Sequence, residues 1–203
     1  GIISMKIINK SALGFVLMIV ALSSLFTKTL FAWSTGPEAY RTGAPGDKGT
    51  CKADGCHDSF PLDSGNARFS ITGPTSFTPG ETIKLNVSFN SSGGKLRGFE
   101  MTAIDTDDNQ IGKFKAIGKT TQVIPANDYR GLKKEDKGTY IEHTRSGNKK
   151  KSWKVKWIAP ANATGTVTFY AAGNDANGEG TNSGDYIYTT TREITAASTT
   201  SGQ

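Results

Sequence analysis

The chain has 203 residues, enough for one domain of sandwich or barrel size, and 35% of them are hydrophobic. Its net charge of +6 falls to +3 once Lys6, Lys10 and Lys28 at the start are set aside. That excludes the strongly basic footprint of a nucleic-acid-binding domain.

Met5-Lys6 with Asn9 and Lys10 forms a short basic region, Ala12 to Phe26 is apolar, and Leu30-Phe31-Ala32 ends on a small residue. Residues 1–32 therefore read as a secretory signal peptide. The apolar run is shorter than the roughly 20 residues a spanning helix needs, so cleavage is expected rather than anchoring. The expected location is secreted, periplasmic or at the cell surface, with no membrane span after cleavage. Such a compartment is oxidising, so Cys51 and Cys56 should both be covalently committed.

Residues 33–66 are rich in Gly, Pro, Thr and Ser, and turn formers such as Thr42-Gly-Ala-Pro-Gly-Asp47 block helix and regular strand alike. This irregular segment carries Cys51 and Cys56. A structureless run of that length needs something to hold it down.

From residue 67 to 192 the pattern is β. Phe69 and Ile71 alternate; Ile83, Leu85, Val87 and Phe89 share one face of a long strand. Phe99, Met101 and Ala103 form the next, ending in a polar hairpin turn at Asp105–Asn109. Ile111 to Ile117, Tyr140 to Thr144, Trp153 to Trp157, Val167 to Ala171 and Tyr186 to Thr191 follow. Residues 123–137 read as a connection, 173–185 as a polar loop, and 193–203 as a tail. Eight alternating runs with turn signals between them predict an all-β, two-sheet antiparallel β-sandwich.

The chemistry concentrates in Cys51-Lys-Ala-Asp-Gly-Cys56-His57. Two cysteines followed at once by a histidine suit attachment of haem c. The thiols add to the haem vinyl groups and the imidazole ligates iron. The usual spacing leaves two residues between the cysteines; here there are four. The other reading is a Cys51–Cys56 disulfide loop beside an ordinary histidine. Were haem present, its sixth ligand would be His143, or Met101 as the weaker choice. Asp175, Asn177 and Glu179, spaced by two, resemble the start of a calcium loop but lack its closing bidentate Glu. No nucleophile with an adjacent base is evident, so no enzyme is expected. A blue-copper site is excluded because Cys56 and His57 are adjacent in sequence and no Cys, His, Met cluster follows.

Arg41-Thr-Gly-Ala-Pro-Gly46, the Cys–His segment, Phe77-Thr-Pro-Gly-Glu-Thr82, Gly98-Phe99, Tyr140-Ile-Glu-His-Thr144, Trp157-Ile-Ala-Pro160 and Ala171-Ala-Gly-Asn with Asn182-Ser-Gly-Asp-Tyr186 occur in that order. Together they resemble the bacterial choice-of-anchor V domain, a relative of the reeler (reelin N-terminal) domain, from about residue 36 to 191. The resemblance implies an exported β-sandwich, and its many Cys-x-x-Cys-His members favour haem at Cys51, Cys56 and His57. Two functions follow as expectations. One is a monohaem electron carrier working with a redox partner protein. The other is a disulfide-stapled binding or adhesion module for a cell-surface component.

Overall fold

The computed structural model describes residues 34–52, 55–127 and 129–198; the predicted leader lies outside them. The described chain forms ten strands. They are β1 (Arg68–Thr72), β2 (Ser76–Phe77), β3 (Thr82–Asn90), β4 (Leu96–Ile104), β5 (Lys113–Ala116), β6 (Thr121–Val123), β7 (Tyr140–His143), β8 (Ser152–Ile158), β9 (Thr166–Ala176) and β10 (Tyr186–Ala196). The only helix among the described residues is one 3-10 turn at Arg145–Gly147.

The strands make two sheets, β1-β3-β8-β5 and β2-β10-β9-β4-β7-β6. Every pairing is antiparallel except the two-residue contact of β2 with β10. The expected two-sheet β-sandwich is therefore the fold.

Alternation explains why these segments pair as they do. Successive side chains on a strand point to opposite faces. Ile83, Leu85, Val87 and Phe89 of β3 and Trp153, Val155 and Trp157 of β8 turn inward, against Phe99, Met101 and Ala103 of β4 and Val167, Phe169 and Ala171 of β9. Edge-on aromatic pairs lock the layer, with Trp157 at 5.3 Å from Phe169 and 5.2 Å from Phe77. Trp153 also satisfies its indole N–H, which donates to the Gly147 carbonyl at 3.0 Å.

The structure departs from the sequence reading at three places. Strands β2 and β6 are two and three residues long, too short to show a period. Strand β9 runs on through Ala176 and β10 through Ala196, into the segments read as loop and tail. The Asp105–Asn109 turn closes only one bridge, Ile104 to Gln110, after which the chain crosses to the other sheet. The turn itself is local chemistry: the Asp105 carboxylate accepts from the backbone N–H of Asp107 and of Asn109, both at 2.9 Å.

Strand β4 is buried on both faces, as is β7. The outer face of the larger sheet is therefore covered at β4 and β7, and what covers it forms the candidate site.

Trp153→Ala should lower unfolding free energy by about 3–5 kcal/mol, because the indole fills the space between Phe89 and Phe99 and its N–H partner is lost. Urea unfolding followed by fluorescence and far-ultraviolet dichroism measures this. A loss under about 1 kcal/mol would contradict the packing described.

Candidate functional site

The irregular segment lies across the outer face of the six-stranded sheet. The Ala39 N–H donates to the Arg130 carbonyl at 2.9 Å, and the Arg41 N–H reaches the Glu100 carboxyl at 3.4 Å. The Tyr140 hydroxyl donates to Asp47 at 2.5 Å and accepts from Gln110 at 2.7 Å. Ala39, Tyr40, Ile124, Leu132 and Tyr140 form a second, smaller apolar cluster beneath this cover. Asp47 also accepts from the Thr42 N–H and hydroxyl, at 2.8 and 2.6 Å, which shapes the turn that brings it there.

Two carboxyl groups stand side by side under the cover. Glu100 of β4 and Glu142 of β7 are directly opposite in register and both are 0% exposed. Arg130, 5% exposed, caps Glu142 with one guanidinium nitrogen, and Gln122 donates to Glu142 at 2.6 Å. Burial pushes Glu142 up to about 7 despite the opposing guanidinium. Glu100 is raised well above the ordinary carboxylate range, by burial first and then by Asp47 and Glu142; one of its oxygens has no partner. The cover meets this pair closely. Gly36 has φ +113°, and a Cβ there would sit 2.2 Å from a Glu142 oxygen, so both backbone and space require glycine.

The Cys–His segment sits at the other end of the same face. The His57 N–H donates to the Cys51 carbonyl at 3.2 Å and closes the loop on itself. His57 Nδ1 lies 2.8 Å from an Asp185 oxygen. A carboxylate only accepts, so Nδ1 is the protonated nitrogen. Asn174 Nδ2 lies 3.3 Å from both ring nitrogens and 3.2 Å from Asp185. The Asn182 amide donates to the Cys56 carbonyl at 2.6 Å, and the Gly184 N–H donates to the Ser59 hydroxyl at 2.9 Å. Asn174 of β9 and three residues of the loop between β9 and β10 thus hold the Cys–His segment and Ser59. Both thiols are free and half-buried. Burial pushes the Cys51 thiol far up, with Glu100, then Cys56, adding to the effect. A thiol held neutral is a poor nucleophile and a poor metal ligand.

The other sequence-predicted residues do not gather here. Met101 is fully buried in the central core, while its neighbour Glu100 faces the cover. Consecutive strand residues point oppositely, so the sheet separates Met101 from the Cys–His segment. His143 is enclosed beside β4: its Nδ1 accepts from the Phe99 N–H at 3.2 Å, and its ring packs on Gly98, where a Cβ would fall 2.4 Å from Cε1. Burial pushes His143 down to about 4, so it is neutral. Asp175 is engaged by the Ser92 hydroxyl at 2.5 Å and the Gly94 N–H at 3.1 Å. Asn177 accepts from the Glu179 N–H at 2.9 Å and donates to the Ser183 carbonyl at 3.0 Å, bonds that form the loop itself. Among the described residues, no three His, Cys, Asp or Glu side chains converge as a metal site.

For haem the residues fit in part. They offer two thiols and an imidazole whose Nε2 is not the nitrogen held by Asp185. The imidazole, however, is flanked by Asn174 and Asp185 rather than by apolar side chains, and a buried Asn174 oxygen has no partner. A porphyrin face in such polar surroundings gains little from burial.

Sequence reasoning missed Glu100, Glu142, Arg130, Asn174, Asn182 and Asp185. A signal was present: Glu142 lies in Tyr140–Thr144, and Asn174, Asn182 and Asp185 lie in the runs quoted above from 171 and 182.

A two-layer β-sandwich with an irregular N-terminal cover pinned across its larger sheet defines a β-sandwich module. The Reeler domain family matches residues 50–173, from just before Cys51 to the middle of β9, and the chain belongs to that family. Reeler domains are typically extracellular and form a non-enzymatic module family. No curated protein matches the chain. Among the described residues, no helix is long and apolar enough to cross a membrane.

The buried groups set opposite pH slopes. Glu142, raised from 4.5 to about 7, contributes stability fully below about 4.5, and this is lost as pH rises through 7; Glu100 acts in the same direction. His143, lowered from 6.5 to about 4, contributes fully above 6.5, and this is lost as pH falls through 4. Glu100→Gln should match the wild type near pH 4 and exceed it at pH 8, where the buried carboxyl of the wild type must ionise or hold its proton at a cost. Unfolding titrations at the two pH values check this. A variant less stable at pH 8 would show that Glu100 is needed ionised.

Proposed function

We propose that the chain is an exported interaction module for a cell-surface component, with Cys51 and Cys56 closing to a disulfide outside the cell. The observation that supports this reading is the set of three ties from the β9–β10 loop to the Cys–His segment and Ser59. His57, the Cys56 carbonyl and Ser59 are each tied to that loop, so the segment serves as a structural part of the cover. The hydrogen bond from His57 N–H to the Cys51 carbonyl draws the two cysteines together, and Cys56 lies within electrostatic reach of Cys51. In closing, the two thiols lose two protons and two electrons to the disulfide of a thiol oxidoreductase, which becomes a dithiol. A bridge over so short a loop contributes about 2 kcal/mol.

A second reading follows from the His57–Asp185 contact. A metal-bound imidazole commonly gives its other N–H to a carboxylate, which leaves Nε2 for iron. In that reading Cys51 and Cys56 hold haem c through thioethers, His57 ligates its iron and the partner is a redox protein; His143, enclosed against Gly98 and bonded to Phe99, would have to leave that packing to act as sixth ligand. The group would supply one-electron transfer. The resemblance to choice-of-anchor V proteins supports it; the polar flanks of His57 weigh against it.

Intact mass and the visible spectrum of the exported protein separate the two. The disulfide reading predicts a colourless protein, lighter by two hydrogens than its reduced form, that loses about 2 kcal/mol of stability on reduction or in the Cys51→Ser, Cys56→Ser double variant. A Soret band that survives denaturation, with a mass raised by one haem, would replace it with the second reading.

A further inference from the structure

A strand at the rim of a sheet leaves every second residue's N–H and C=O without a ladder partner, and such rims are normally blunted or covered. Most rims here are closed. On β5 the outward N–H of Phe114 donates to the Gly138 carbonyl at 2.8 Å, and Lys113 and Lys115 stand on the same strand. Strand β6 spans Thr121–Val123 and runs on into Pro125, which has no N–H to offer. On β10 the Asp63 N–H donates to the Ile187 carbonyl at 2.9 Å, and its carboxylate accepts from the Thr189 N–H at 2.7 Å. Further along β10, Arg192 reaches across to the Pro74 carbonyl at 2.8 Å, and β2 pairs with Thr195 and Ala196.

Strand β1 is the exception. The Phe89 N–H donates to the Lys151 carbonyl at 2.8 Å, so odd-numbered residues of β3 bond towards β8 and even-numbered ones towards β1. The register then turns the peptide groups of Arg68, Ser70 and Thr72 to Asn90, Ser88 and Asn86, and those of Phe69 and Ile71 outward. These outward groups meet no partner among the described residues. The strand holds no Pro and no Lys, and its one charge, Arg68, stands at its start. Of the usual protective devices it keeps only its shortness, five residues.

We propose that β1 pairs antiparallel with β1 of a second copy of this chain, joining the two smaller sheets into one continuous sheet. The inference goes beyond the interaction-module reading and does not depend on the state of the cysteines. Three observations select a second copy. A two-fold axis through Ser70 sets Phe69 opposite Ile71 of the second copy and Ile71 opposite its Phe69, so all the outward peptide groups of both strands bond at once. The same register sets Ser70 opposite Ser70 and Arg68 opposite Thr72, so no like charges face each other. The side chains of Phe69 and Ile71 are already buried in their own core, so the rim offers backbone and no pocket. A foreign peptide strand needs pockets for its specificity; a second copy needs only the matching rim. Pairing along five residues falls short of the roughly 1,200 Å² of a standard interface, so the dimer is a weak one.

The test is sedimentation of the full chain from the micromolar range to about 1 mM, a span suited to an interface this small. It is repeated in the Cys51→Ser, Cys56→Ser background, which removes any dimer cross-linked through sulfur. The wild type should show a reversible monomer–dimer equilibrium with a dissociation constant on the order of 100 μM. Ser70 lies on the outer face, so Ser70→Lys and Ser70→Glu place like charges at the axis without entering the core. Each variant alone should dimerise at least about tenfold more weakly, and an equimolar mixture of the two should recover association equal to or tighter than that of the wild type. Lys115→Glu, on the rim of β5, should leave the constant within about twofold. Amide exchange at Phe69 and Ile71 should slow as concentration rises. A wild type that stays monomeric to about 1 mM overturns the proposal. So does a dimer that both Ser70 variants leave intact, or a mixture of the two folded variants that fails to recover. Unchanged exchange at Phe69 and Ile71 in a sample that does dimerise places the contact elsewhere and overturns it equally.

Discussion

An ionised carboxyl group is costly in an apolar interior unless it is paired, and Glu100 and Glu142 stand opposite each other on the covered face of β4 and β7. Most of what lies on that face answers to this constraint. Arg130 comes in from the β6–β7 connection to neutralise Glu142, and its guanidinium also donates to the Pro37 carbonyl, so one cation ties the connection, the sheet and the cover together. Gly36 is present because nothing larger clears the Glu142 carboxyl. Glu100 has no ion-pair partner among the described residues, and burial keeps it protonated well above the usual range. The cover is thus held by polar groups that lose their partners if it lifts.

The same logic runs along the face to the Cys–His segment. Asp185 is 2% exposed and accepts from the Asn177 N–H at 2.9 Å as well as facing His57. One buried carboxyl therefore shapes the β9–β10 loop and anchors the cover. The folding of the loop and the docking of the segment are one arrangement, in which Asn177, Asn182 and Asp185 act as a clasp. On the opposite sheet the balance is reversed: the outer face of β3 and β8 carries lysines that form no ion pair among the described residues. The two outer faces of one sandwich thus differ: β4 and β7 are closed over by the chain itself, while the smaller sheet turns lysines outward.

The fold was legible where one face of a strand meets the core and the other meets solvent. Strand β3, with Ile83, Leu85, Val87 and Phe89 inward and Lys84, Asn86 and Ser88 outward, is plain from alternation. Strand β4 alternates too, but Glu100 and Thr102 on its second face read as solvent-facing, and only tertiary contact reveals that both are buried. Propensity and period carry no information about a cover contributed by a segment some sixty residues away. For the same reason the Cys–His segment was evident from its residue types, whereas Asn174, Asn182 and Asp185 were not. Their function is defined by contact across the sheet, and in sequence they look like ordinary turn formers. Met101 and His143 were singled out because sulfur and imidazole are scarce here, a chemical argument blind to the face on which each side chain lies.

Residues 34–52 and 55–66 form an integral layer of the sandwich. Native-state hydrogen exchange tests it most directly, through the backbone N–H groups of Ala39, Thr42, Gly43 and Lys48. These donate to Arg130 O, Asp47 Oδ2, Gly49 O and Tyr40 O at 2.8–3.0 Å. If the cover is integral, these amides exchange with protection approaching that of β4 and β9. Fast exchange of the four, with β4 and β9 still protected, would contradict the account and make the cover a loosely docked strap.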